Sequence, residues 1–277
     1  MTRAADIFTW ALGLLVAAFF LTPVLWLLSL ALRTPAEIYL GAARFIPEEP
    51  TLANFGQVLT DGAFPRYLWN GLKLSCAGAG LAVLLATPAA WAFSRHPSRR
   101  GNRLLLAILA LQMVSPLVLM LPLYRWFDRL GLLDTHTAVI LVLSALGIPL
   151  STWLIKLGFD AIPRALSDAA AIDGAGPFAT FREISLPLAL PSIASAFLLS
   201  MIAGWGQFLV PFILLSKDST LPVSVALFNY AGSTSASTTQ VLAAAATLAI
   251  LPALAVFLIL QRTITRALTS GSITAQG

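Results

Sequence analysis

Six stretches of mostly apolar residues dominate this chain: roughly Phe8 to Leu32, Tyr67 to Phe93, Leu104 to Phe127, Thr137 to Leu157, Pro191 to Leu215 and Val241 to Leu260. Each has the length of about 20 residues that a helix needs to cross the hydrocarbon layer of a bilayer. The alternating pattern of a barrel strand is absent, so the chain reads as all-α. Composition agrees, because 58% hydrophobic and only 10% charged residues leave too little polar surface to coat a soluble globule of 277 residues. No segment outside the stretches is long enough to bury its own core, so residues 1–277 are expected to form a single polytopic membrane domain with six transmembrane helices.

Charge placement orients the helices. With the N-terminus in the cytoplasm, Arg3, Arg95, Arg99, Arg100, Arg103, Lys156, Arg164, Arg182, Arg262 and Arg266 fall on the cytoplasmic side. Arg33, Arg44, Arg66, Lys73, Arg125, Arg129 and Lys217 fall on the other. The excess is modest, but its densest part is the short loop from Arg95 to Arg103, where the positive-inside rule is most reliable. Both termini are therefore expected inside, with external loops at about 33–66 and 216–240. The first apolar segment is too long for a leader core and lacks a small-residue cleavage site, so it reads as a retained span. The Pro-Glu-Glu-Pro-Thr-Leu-Ala-Asn-Phe stretch of the first external loop predicts a turn and a short amphipathic helix. The second external loop, Ser/Thr-rich after Gly232, reads as flexible and exposed.

Prolines 23, 88, 116, 122, 149 and 252 fall within or near the ends of the spans and predict kinks. Trp10, Trp26, Trp69, Trp91, Trp126 and Trp153 suit the interfacial belt. Trp205 does not, because it is expected mid-span in Ala-Gly-Trp-Gly-Gln-Phe with Gln207 beside it. Two readings stand: a packed ring with an amide bonded across helices, or a pair lining a pathway.

Catalytic chemistry is hard to place. His96 and His136 are expected on opposite faces of the membrane, as solvated loop residues without zinc-like or nucleophile-like spacing. Cys76 lies alone in an apolar run and reads as packing. There is no Gly-x-x-x-x-Gly-Lys-Ser/Thr loop for ATP. Asp160, Asp168, Asp173 and Glu183 fall in a central cytoplasmic island, and Asp128, Asp134 and Asp218 in external loops. A carrier driven by protons or sodium needs a buried ionisable group, so the energy is expected from elsewhere. The net charge of +5 is what basic cytoplasmic loops produce, and calls for lipid rather than nucleic acid.

The island from Ile162 to Pro191 is too rich in small and polar residues to sit in lipid as a span. Asp160 is placed to cap a helix starting near Pro163. Ala165, Ala169, Ala170 and Asp173 give that helix a small-residue face, Gly174 stops it and Gly176-Pro177 turns the chain. Phe178, Phe181 and Ile184 begin a second short helix expected to end at Pro187, with Phe181 as an anchor for a partner's pocket. An ordinary interfacial loop is the plain alternative.

These residues resemble a family. Asp168-Ala169-Ala170-x-x-Asp173-Gly174-Ala175-x5-Phe181-x-x-Ile184-x-Leu186-Pro187 is similar to the "EAA" loop of ATP-binding-cassette (ABC) importer permeases, with Asp168 where that loop usually has Glu. Pro50-Thr-Leu-Ala-Asn-Phe, Tyr67-Leu-Trp-Asn-Gly-Leu, Leu130-Gly-Leu-Leu-Asp-Thr, Leu221-Pro-Val and the C-terminal Gln261-Arg-x5-Leu-x-x-Gly extend the likeness, which is to the carbohydrate-import type of the maltose transporter's G subunit.

The resemblance implies a multi-pass permease of a bacterial or archaeal inner membrane, working in sugar import with a second permease, two ATPase subunits and an external sugar-binding protein. It implies no cofactor in this chain and no enzymatic activity, with ATP and Mg on the partner ATPases. The loop at about 158–190 would couple to the ATPases, with Asp168 to Ala175 as the coupling helix and Phe181, Ile184, Leu186 and Pro187 bracing it. Asn229, Tyr230, Ala231 and Gly232 would reach the binding protein, and the tail from Thr269 would lie near the ATPase. Trp205 and Gln207 are the pathway candidates. The competing expectation is a stand-alone secondary carrier or channel for small polar solutes.

Overall fold

The computed structural model describes residues 3–40, 44–60, 62–232 and 239–273, and among these every regular element is a helix. Five helices are long and apolar enough to cross a bilayer: Phe8–Ala31 within α1 (Arg3–Ala31), α4 (Phe64–Arg95), α7 (His136–Asp160), α9 (Pro177–Trp205) and Thr239–Ile259, the first part of α12 (Thr239–Ile273). A sixth stretch is long and apolar enough only as a bent pair, in which α5 (Arg99–Ala110) runs into a short 3-10 turn and then meets α6 (Pro116–Arg129) at 90°. The short helices are α2 (Pro35–Leu40), α3 (Ala53–Thr60), α8 (Arg164–Ile172), α10 (Leu209–Leu214) and α11 (Val223–Gly232).

Two spans differ from expectation. The third is broken rather than continuous: Ser115 turns extended and Pro116 takes the first helical position of α6, where its missing N–H costs nothing. The fifth begins at Pro177 and ends at Trp205, well before Leu215, so the predicted stop at Pro187 is absent. A π-turn over Thr180–Ser185 precedes that proline, and the amide of Leu186 donates five residues back, to Phe181. The wider turn relaxes the crowding that a proline ring imposes on the preceding turn, and the helix runs on.

The chain forms two compact units. In the first, residues 1–66 and 226–252, the loop after α1 is a folded cap. Asn54 is buried and its Nδ2 donates to the carbonyls of Ala31 and Arg33, both at 2.8 Å, closing the open end of α1. Arg33 is buried as well, stacked over Trp26 at 5.4 Å and donating to the carbonyl of Arg44. The predicted short helix is α3, which buries Asn54 and Val58.

The second unit, residues 67–225 and 253–277, is organised on α4, α7 and α9. Small residues set their spacing. A Cβ on Gly78 would lie 2.8 Å from that of Leu143, one on Gly147 3.1 Å from that of Ala82, and one on Gly158 2.4 Å from that of Ser192. Helices in lipid gain from such close approach because dispersion replaces the hydrophobic drive.

The segment after α10 is not the free loop expected. Leu221, Val223 and Val225 are buried. Tyr67 donates to Asp218, Asn70 donates to the carbonyls of Ser219 and Leu221, each at 3.0 Å, and His136 Nε2 donates to the carbonyl of Thr220 at 2.9 Å. His136 is therefore a strut rather than a solvated loop residue. Asp134, at φ 58°, accepts from the amides of Ser216 and Lys217, and these donors hold its carboxyl below the usual range. Residues 233–238 of the Ser/Thr-rich run lie outside the described residues.

Candidate functional site

The island of residues 162–191 folds as a helix, a capped turn and the start of a span. α8 opens at Pro163 without a side-chain cap, and Asp160, expected to supply one, pairs with Lys156 at 2.5 Å instead. The far end is a Schellman motif. Gly174 sits at φ +83°, its amide donates to the carbonyl of Ala171 at 3.1 Å, and the amide of Ala175 donates to that of Ala170 at 2.9 Å. Only glycine adopts that backbone without strain. Pro177 then starts α9, and Thr180 Oγ1 donates back to the carbonyl of Gly176.

Burial divides the predicted residues. Asp168, Ala169, Asp173 and Gly174 are exposed, while Ala170 is buried beneath them. Phe181 is turned into the chain: its ring lies 5.2 Å from Trp91 and 6.4 Å from Phe159, against a core of Val83, Ala86, Ala90, Ile155 and Ile162. It fastens α9 to α4 and α7 and is not offered to a partner, because the π-turn rotates it inward. Ile184 and Leu186 are half-buried and Pro187 is exposed. The apolar groups that do face outward are Leu166, Ile172 at 87% exposure and Phe178 at 72%. Ile172 lies in the sequence just before the Asp-Gly stop, and that position on the last turn was the available signal.

Arg95, at the end of α4, lies in the field of Arg164 and Asp168 on α8 and of Asp160 on α7. Its Nε and Nη2 are buried without hydrogen-bond partners, as is Ser167 Oγ. α8 thus lies in the field of a guanidinium whose own hydrogen bonds are not all made.

A second place holds polar groups among apolar spans. Gln112, Ser200 and Gln207 line a cleft of about 120 Å³ with Leu143, Leu146, Gly147, Leu150, Ala203 and Gly204. Ser200 and Ser151 share a hydrogen bond of 2.9 Å, and Gln207 Oε1 accepts from the amide of Leu209 at 3.2 Å. Trp205 is the last residue of α9 rather than a mid-span residue, and its ring sits where a Cβ on Gly71 would be 3.2 Å away. The two pathway candidates therefore part: Gln207 lines the cleft and Trp205 packs on α4. Gln112 was missed, since an isolated amide in an apolar run gives no pattern. The side chains of Asn229, Tyr230, Ala231 and Gly232 lie outside the described residues, their backbone closing α11.

Residues 78–270 match the family described as the inner membrane component of binding-protein-dependent transport systems. The chain belongs to this family. Membership makes it a multi-pass inner-membrane permease, a translocation component rather than an enzyme, in a family of which an EAA motif and a coupling helix are typical. The permease is 33% identical to the maltose/maltodextrin permease MalG of Vibrio parahaemolyticus, over 98% of this chain and 95% of that one. It is 33% identical to the trehalose permease SugB of Mycobacterium tuberculosis, over 95% and 96%, and 30% identical to the sulfoquinovosyl glycerol permease SmoH of Agrobacterium fabrum, over 91% and 88%. A chain of a bacterial ABC transporter that imports alginate has the same fold, with a TM-score of 0.78 at 23% identity, covering 95% of this chain and 98% of that chain.

Proposed function

We propose that the permease is one of two membrane subunits of an ATP-driven sugar importer, and that α8 with the turn at Gly174 is the element through which partner ATPases drive it. The observation that carries this reading is a helix ended by a Schellman motif, with Leu166, Ile172 and Phe178 left outside it while Phe181 fixes the following span to the core. Exposed apolar side chains on a rigid stub fit a groove in another protein. The sugar follows from the maltose, trehalose and sulfoquinovosyl glycerol permeases the chain is similar to.

In this reading both termini and the 158–190 loop face the cytoplasm, and an external binding protein delivers the substrate. Residues 229–232 stand on the external side, where they would meet that protein. Asp168 on α8 and Asp173 just after its end, both exposed, offer carboxylates to cations of the ATPase. ATP and Mg belong to the ATPases. Closure of two ATPases drags two such stubs together, and because Phe181 packs on Trp91 and Phe159, the displacement passes to α4, α7 and α9 as a rigid motion.

A single cysteine at Ile172, in a chain with Cys76→Ser, tests the docking. In the assembled complex, Ile172→Cys is expected to cross-link to an ATPase subunit, and a cysteine at Ser219, at the far end of the unit, is not. Cross-linking from Ser219 and none from Ile172 would reverse the assignment.

A further inference from the structure

α4 and α5 meet in a tight, capped turn. Residues 96–98 join Arg95 to Arg99, Ser98 Oγ accepts from the amide of Gly101 at 2.9 Å, and a Cβ on Gly101 would lie 3.6 Å from Phe93 Cδ1. Leu105 is buried and seats α5 in its unit. Outward the helix carries Arg99, Arg100 and Arg103, all exposed, and directly after them Leu104 and Leu106, exposed as well.

Among the described residues nothing neutralises these three cations. No acid lies in the first turn of α5, and none of the three guanidiniums makes an ion pair. Arg95, four residues earlier, is separate: it lies in the field of Arg164, Asp160 and Asp168, with its Nε and Nη2 buried. That field also places the turn at the same end of the unit as α8.

The spacing fits one leaflet of a bilayer. From Arg99 to Arg103 the helix climbs about 6 Å at 1.5 Å per residue, which matches a headgroup layer of about 5–7 Å on each side of the hydrocarbon. With the arginines in that layer, Leu104 is the first residue among the acyl chains, and lipid covers leucines that the protein leaves bare. A groove in an ATPase would account for the arginines but not for the leucines that continue from them. A zwitterionic headgroup brings its own cation beside the phosphate. An anionic one leaves the phosphate to the guanidinium, which grips it through two parallel N–H donors.

We infer that Arg99, Arg100 and Arg103 form a docking surface for the phosphates of anionic phospholipids, with phosphatidylglycerol as the test case, in the leaflet beside α8. That leaflet is the cytoplasmic one in the orientation proposed above.

Native mass spectrometry tests this on the complete complex, released from mixed micelles of equal phosphatidylglycerol and phosphatidylcholine. The unaltered complex is expected to retain phosphatidylglycerol over phosphatidylcholine by at least about tenfold. Arg100→Gln and Arg103→Gln, single changes at exposed residues that leave the other arginines to orient the chain, are each expected to cut that preference about fivefold, with the ATPases still bound. Arg100→Lys and Arg103→Lys keep the charge and should keep most of the preference. Inorganic phosphate, matched to chloride in ionic strength, is expected to leave the lipid in place. Equal retention of the two lipids by the unaltered complex, an unchanged preference in both glutamine variants, displacement by inorganic phosphate, or loss of the ATPases in place of the lipid would each overturn the assignment. None of these readouts depends on which solute is carried, so failure here leaves the sugar reading standing.

Discussion

Replacing Gly174 with arginine is expected to uncouple the permease while leaving its spans in the membrane. At φ +83° a residue with a Cβ costs about 1–2 kcal/mol, which is about a 5- to 30-fold loss in the population of the correctly capped turn. No heavy atom lies within 4 Å of a Cβ built there, so the penalty is backbone strain and not collision. The turn has two ways to relieve it, by unwinding the last turn of α8 or by redirecting the entry into α9, and either one displaces Ile172 and Asp173. ATP-driven uptake is expected to fall at least about tenfold, with membrane content of the chain unchanged. Gly174→Asn separates strain from side-chain identity, because asparagine tolerates the left-handed region far better than most residues. It should keep most of the uptake. Equal loss in both variants would mean that the exposed surface at residue 174, and not its backbone, is what matters.

The second large effect lies in the packing of α7 on α9. A Cβ on Gly158 would stand 2.3 Å from Ser192 Oγ and 2.4 Å from Ser192 Cβ, distances that no rotamer change of Ser192 can open, since its Cβ is fixed to the backbone. Gly158→Ala is expected to destabilise the assembled complex by about 1–3 kcal/mol, seen as a fall of several degrees in its thermal unfolding in detergent. Gly158→Leu should prevent assembly. Ser192→Gly removes both clashing atoms and is expected to restore most of the stability in the double variant, whereas two independent losses would add. Because these residues lie in the same part of the unit as Phe159 and Phe181, the pair also sets how stiffly α8 is held.

The run lengths of apolar residues made the helical class and the number of crossings legible, and the spacing of Asp173, Gly174 and Pro177 made the stub legible, because each is a residue type with a narrow backbone role. Pro187 misled. A proline within a helix that opened at Pro177 reads as a stop, and nothing local announces that a π-turn will accommodate it. The break at Val114–Ser115 was legible only as a kink at Pro116, since leucines on both sides keep hydropathy high through it. The inward turn of Phe181 depends on Trp91 and Phe159, residues 90 and 22 positions away in the chain, which no local pattern relates. Several motifs that first entered through family likeness have plain structural reasons. Tyr67 and Asn70 hold the 218–221 segment, Asn54 caps α1, and Thr135 caps α7 by accepting from the amide of Ala138 at 3.3 Å.

The central claim is that this chain moves its solute only when other subunits spend ATP on it. Uptake of labelled maltose or trehalose into proteoliposomes, measured with the full complex and with the purified permease alone, each with and without ATP, tests that claim directly. The account predicts accumulation only for the full complex with ATP. Full-rate movement of sugar down its gradient through the permease alone would contradict it.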